Sequence, residues 1–138
     1  MKVVLEHDMI PILCVGETGE ERKEGQTEER IGSEIRTALF ELSKEETAKL
    51  VIAYEPIWAI GSGQAATPED AEEIASFIRK TVKEAAGKKA ADEVLILYGG
   101  SVNGDNISYF LKQKNIDGAL IGGASLKPDT MLDIYNKA

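Results

Sequence analysis

Short apolar runs alternate along this chain with longer stretches of helical periodicity, and no other feature restricts the fold as much. The runs fall at 10–15, 50–54, 94–98 and 118–121. A helical pattern follows each of them, which is how βα units feed a parallel sheet. After the first run comes an acidic loop at 16–26, then a helix over about 28–42 with Ile31, Ile35, Ala38, Leu39 and Leu42 on one face. After the second run a helix starts on Thr67 as N-cap, with Pro68 at its first position and Asp70 at its third. Ala71, Ile74, Ala75, Ile78 and Val82 form its apolar stripe, and Gly87 is its stop. A short helix carrying Ile107, Phe110 and Leu111 follows the third run. Pro128 opens a last helix with Met131, Leu132 and Tyr135.

The runs are apolar on both faces, so both faces of the sheet should be covered. Outer helices cover one. Something else must cover the other. The length of 138 residues suits one domain over 1–138 with a real core. No run is long enough to span a bilayer, and residues 1–8 show no basic-then-apolar export pattern. A cytoplasmic location is the expectation. The single cysteine, Cys14, excludes an internal disulfide and fits a reducing compartment. A formal charge of −8 argues against nucleic acid as a partner. One His and one Cys do not make a zinc-type ligand set, and neither a metal nor a cofactor is expected. The charged stretch from Glu17 to Glu29 reads as a solvated loop and helix start.

Chemistry concentrates in Ala53-Tyr54-Glu55-Pro56-Ile57-Trp58-Ala59-Ile60-Gly61-Ser62-Gly63. Glu55 stands at the C-terminal end of a parallel strand, the end that faces the active site in βα folds. Apolar surroundings can make such a carboxylate a general base. By itself it is equally a structural Glu before a buried turn. The loop after it is both apolar and glycine-rich. Exposed Ile57, Trp58 and Ile60 make sense in a lid that closes over a ligand and excludes water. Gly99-Gly100-Ser101 and Gly122-Gly123 end the last two strands. Either pair alone is ordinary turn chemistry. Together, at matching positions, they suit a phosphate approached by backbone N–H groups. The dinucleotide fingerprint Gly-x-Gly-x-x-Gly follows no strand, which weighs against a doubly wound sheet: Gly61-Ser62-Gly63 lacks the third glycine.

Residues 53–63 resemble the catalytic strand and lid of the triosephosphate isomerase family. Pro11-Ile12-Leu13-Cys14-Val15-Gly16-Glu17 is similar to its fifth strand, Tyr98-Gly99-Gly100-Ser101-Val102 to the end of its seventh, and Ile121-Gly122-Gly123-Ala124-Ser125 to the end of its eighth. The likeness runs from about Val3 to Ala138. That is nearly all of this chain and about half of a barrel that takes ~250 residues. The fold it implies is α/β, a half TIM barrel of (βα)4 form with sequential parallel strands and outer helices.

By this likeness Glu55 is the base that takes the carbon-bound proton of a triose phosphate. Gly61, Ser101, Gly122 and Gly123 hold the substrate phosphate, or a phosphate anion. Gln64 departs from the family in the lid's C-terminal hinge, where lysine is frequent. The family's Asn, Lys and His from the first and fourth strands belong to an N-terminal half outside these residues. His7, near the end of a helix ahead of the first strand here, cannot replace them. Cys14 resembles a buried packing cysteine. The resemblance implies an isomerase fragment, weak or inactive alone. The alternative is a non-catalytic half-barrel module that forms a homo-oligomer or joins a separate N-terminal half. A different phosphate-binding barrel enzyme fits the lid poorly.

Overall fold

The computed structural model describes residues 1–61 and 65–138. Ser62, Gly63 and Gln64 of the lid motif lie outside the described residues. Four strands, β1 (Ile12–Val15), β2 (Val51–Tyr54), β3 (Leu95–Tyr98) and β4 (Gly118–Ala119), form one parallel sheet in sequential order. The helices are α1 (Lys2–Glu6), α2 (Gly19–Lys23), α3 (Thr27–Leu39), α4 (Lys44–Thr47), α5 (Pro68–Ala86), α6 (Lys88–Glu93), α7 (Ile107–Leu111) and α8 (Pro128–Lys137). This is the architecture of a half TIM barrel.

The register separates the two faces of the sheet. Leu13, Ile52 and Ile96 form one row, and Val15, Tyr54, Tyr98 and Ala119 form the next row on the same face. Val15, Ile52, Tyr54, Ile96 and Tyr98 are buried there under α3, α5 and α7. The opposite face carries the rows Ile12, Val51, Leu95 and Cys14, Ala53, Leu97, Gly118. Ile12 and Leu95 remain 49% and 50% exposed. The described residues therefore cover one apolar face and leave the other partly open, at Ile12, Cys14 and Leu95, with Ala53 buried, although the strand sequences are apolar on both.

Helix α5 forms as its sequence directs. Thr67 Oγ1 accepts from the Asp70 amide at 3.0 Å, and Pro68 occupies the first position. The stripe from Ala71 to Val82 is buried, and Gly87 ends the helix at φ 93°. α3 stops at Leu39, short of 42, because Ser43 and Glu46 form a capping box that starts α4. The acidic loop at 16–26 holds a further helix, α2, set by a second capping box. The Thr18 amide donates to Glu21 Oε2 at 2.7 Å, and the Glu21 amide donates to Thr18 Oγ1 at 3.2 Å.

Two expectations need correction, those for Glu17 and Cys14. Glu17 is not solvated but fully buried. Cys14 is exposed, because it points to the open face of the sheet. In α8 the buried residue is Ile134, while Met131, Leu132 and Tyr135 are exposed. α8 packs against α7 and the 3₁₀ turn Gly123–Leu126, and Ile134 is its buried side chain.

Candidate active site

Glu55 leaves β2 directly at the strand's C-terminal end. Its amide donates to Val15 O at 2.8 Å, and the Gly99 amide donates to Tyr54 O at 2.8 Å. The ends of β1, β2 and β3 are thereby held level around the carboxylate. Gly99 makes room for it: a Cβ on Gly99 would stand 2.5 Å from Glu55 Cγ and 3.3 Å from Cδ. Cys14 lies beside Glu55 on the open face. Burial of its sulfur against the sheet, then the Glu55 carboxylate, push the thiol up to about 11, even though the residue as a whole is exposed.

Next to Glu55 is a cavity of about 210 Å³ lined by Gly61, Gly99, Gly100, Ser101, Gly122 and Gly123, with Ile60, Val102 and Ala124. The geometry thus brings together Gly61 of the lid and the two glycine-rich strand ends. None of these described lining residues is charged. An anion here would meet backbone dipoles. Gly61 adopts φ 64°, a region that side chains disfavour. A Cβ on Gly122 or Gly123 would meet nothing within 4 Å, so internal packing does not demand glycine at either. Ser125 closes the turn after β4, donating to Gly122 O from its amide at 2.9 Å and from its hydroxyl at 2.7 Å.

The segment after Glu55 is tied down at both ends. At the near end a 3₁₀ turn, Ile57–Ala59, rests on Glu17. The Ile57 amide donates to Glu17 O at 3.0 Å, and Trp58 Nε1 donates to Glu17 Oε1 at 2.9 Å. The Tyr54 hydroxyl donates to the same oxygen at 3.1 Å. Burial, then the adjacent Glu17 carboxylate, push the Tyr54 phenol well above its ordinary range. Ile57 and Ile60 project into solvent as expected for lid residues, whereas Trp58 is half-buried. At the far end the Ala66 amide donates to the Tyr98 hydroxyl at 3.0 Å. Ser101 Oγ donates to Ala59 O at 2.8 Å, so its hydroxyl holds the lid while its backbone lines the cavity.

Sequence reasoning missed Glu17, Tyr54 and Tyr98. A signal existed for the tyrosines, since a hydroxyl inside an apolar strand needs a buried partner. Glu17 was hidden in a run of carboxylates that are otherwise solvated. His7 caps the end of α1, with Nδ1 2.8 Å from Val3 O, ahead of β1 and away from Glu55. Among the described residues no cluster of His, Cys, Asp and Glu could hold a metal ion. No described helix is long and apolar enough to cross a membrane.

Comparison with known proteins gives a consistent result. A family model described as triosephosphate isomerase matches residues 1–138. A triosephosphate isomerase of Dictyoglomus turgidum is 52% identical over 134 residues, which is 97% of this chain and 54% of the relative. One from Clostridium tetani is 51% identical over 136 residues, 99% of this chain and 53% of the relative. One from Roseiflexus is 50% identical over 136 residues, 99% and 54% respectively. The chain spans about half the length of the curated relatives it matches.

Proposed function

The chain belongs to the triosephosphate isomerase family, and from that premise we propose that it is the C-terminal half of the barrel, strands five to eight. In this reading it carries the base and phosphate cradle for interconverting glyceraldehyde 3-phosphate and dihydroxyacetone phosphate. The supporting observation is the placement of Glu55 at the end of β2, against Gly99, beside a cavity that gathers Gly61, Ser101, Gly122 and Gly123. Aldose–ketose interconversion moves a proton between adjacent carbons. One carboxylate can take it from the first and return it to the second. The phosphate, held by backbone amides around the cavity, fixes the carbons against Glu55. Closing the apolar lid over them removes water, which strengthens every charge interaction inside.

Charge that develops on the carbonyl oxygen needs a donor. The chain's one histidine, His7, stands on α1 where the strands begin. The polarising group therefore comes from a complementary half, whether a separate polypeptide or a further segment of the same one. The open sheet face and a cleft of about 660 Å³ along the free edge of β1, lined by Leu13, Cys14 and residues of α3, suit such a half. The half-exposed Ile12 and Leu95 also favour a second reading, a homo-oligomer that hides this face. Sedimentation at micromolar concentration separates the two. Self-association supports the second reading, and a stable monomer removes it.

The phosphate assignment is tested by titrating the chain with inorganic phosphate and following amide chemical shifts. Gly61, Ser101, Gly122 and Gly123 should move first. Shifts confined to other regions would refute it.

A further inference from the structure

The Arg22 side chain contacts Trp58, near the start of the lid, and Asp70, in the helix that follows its end. Its guanidinium lies over the Trp58 ring, 4.9 Å from the centroid. One terminal nitrogen is 3.5 Å from the buried Glu17 Oε1 that also holds Trp58 Nε1. The other is 3.2 Å from Asp70 Oδ1. Trp58 belongs to the near hinge. Asp70 is in the first turn of α5, and its amide is bound by Thr67 Oγ1 in the stretch where the chain leaves the lid. The reciprocal capping box at the start of α2 positions Arg22 itself.

We infer that Arg22 is a positioning residue that couples the two hinges of the lid, clamping the Trp58 indole onto Glu17 while anchoring Asp70. The inference rests on the reading of residues 55–66 as a lid and adds how its ends are kept in step. A planar guanidinium suits this place, since it can stack on the indole face while its edge nitrogens serve two carboxylates. A lysine ammonium keeps the charge but cannot make all three contacts at once. Side-chain exposure of 32% at Arg22 and none at Glu17 leaves the Glu17 side of the clamp shielded from solvent and the Asp70 side more open.

Trp58 is the only tryptophan, so its fluorescence reports on the near hinge alone. The experiment compares the full chain with Arg22→Gln, Arg22→Lys and Asp70→Asn. It uses acrylamide quenching of Trp58, amide hydrogen exchange at 57–60 and 65–67, and the urea midpoint as a control for the global fold. Arg22→Gln should speed exchange at both hinges about ten-fold and raise quenching, with Arg22→Lys intermediate. Asp70→Asn should speed exchange at 57–60, although Asp70 touches none of those residues in the ion pairs described. Wild-type quenching and exchange in Arg22→Gln would overturn the proposal. So would an Asp70→Asn effect confined to 65–67. If Arg22→Gln does not fold, Arg22→Lys and Asp70→Asn decide the question by the same two signatures. Phosphate shifts on wild-type samples are scored separately, so failure of the phosphate site cannot be mistaken for failure of the clamp.

Discussion

Gly99 faces Glu55 so closely that a methyl group added to it would stand 2.5 Å from Glu55 Cγ. The glycine after β3 is thus what lets the carboxylate of β2 occupy the top of the sheet. Gly99→Ala should force the Glu55 side chain aside, at a stability cost of about 1–3 kcal/mol, as in other overpacked sites. Turnover in the completed barrel should fall about a hundred-fold, since a base displaced by an ångström is a poor one. Urea midpoints and the triose phosphate assay, run with the complementary half, check the two effects. Unchanged values in both would mean that Glu55 does not depend on this contact.

Glu17 should matter to stability more than its acidic surroundings suggest. Its carboxylate takes hydrogen bonds from Tyr54 and Trp58 and pairs with Arg22, all on Oε1. Glu17→Ala would remove the acceptor of the Tyr54 hydroxyl and Trp58 Nε1 bonds and one of the two carboxylates paired with Arg22, and should cost about 2–4 kcal/mol. Glu17→Gln keeps an acceptor in place and should cost less. Chemical denaturation ranks the variants, and an Ala variant as stable as the Gln variant would count against the network.

The sheet and its helices were legible because their signals are local. Thr67 and Pro68 start a helix, and the stripe from Ala71 to Val82 keeps helical period. The nearness of Gly99, Gly100 and Ser101 to Gly122 and Gly123 was legible as well, since neighbouring parallel strands end at the same edge of the sheet. What stayed hidden depends on long-range context. Cys14 sits in an apolar run, and nothing local reveals that its face is left open. Glu17 is one carboxylate among many, and its burial follows from Tyr54 and Trp58, 37 and 41 residues along the chain. The exposed Leu132 and Tyr135 depend on what packs against α8, here α7 and the turn after β4, which periodicity does not encode.

Cys14 gives a pH test of the Glu55 neighbourhood. The folded thiol is raised from its ordinary 9.0 to about 11, by burial first and by Glu55 second. Between those values the unfolded chain releases its proton while the folded chain keeps it. Stability should therefore be intact below the ordinary value and decline as pH rises through this window. Tyr54, also raised, contributes in the same direction at higher pH. Cys14→Ser should reduce the slope without abolishing it. Alkylation by iodoacetamide needs the thiolate, so its rate should rise with a midpoint near 11 and shift lower in Glu55→Gln. A midpoint unmoved by Glu55→Gln would place the Glu55 carboxylate away from the thiol.

Catalysis tests what each half contributes. In the proposed reading Glu55 is the base and the cavity beside it takes the phosphate. The only histidine, His7, is bound to the end of α1 away from Glu55, and identical copies of the chain bring only more of the same residues. Proton removal next to a carbonyl then proceeds without its usual stabilisation. One missing oxyanion donor costs on the order of a hundred- to a thousand-fold in rate. Losing more than one should cost more, although such losses are not additive. The 138-residue chain alone should interconvert the two triose phosphates weakly or not at all. Whatever activity remains should vanish in Glu55→Ala. Adding a separately made N-terminal half of a relative should raise the rate, and should protect Cys14 from alkylation as the open face closes. Preparations must be free of the expression host's own isomerase. Turnover by the unpartnered chain close to that of a complete barrel would show that these residues hold an electrophile the geometry around Glu55 does not reveal.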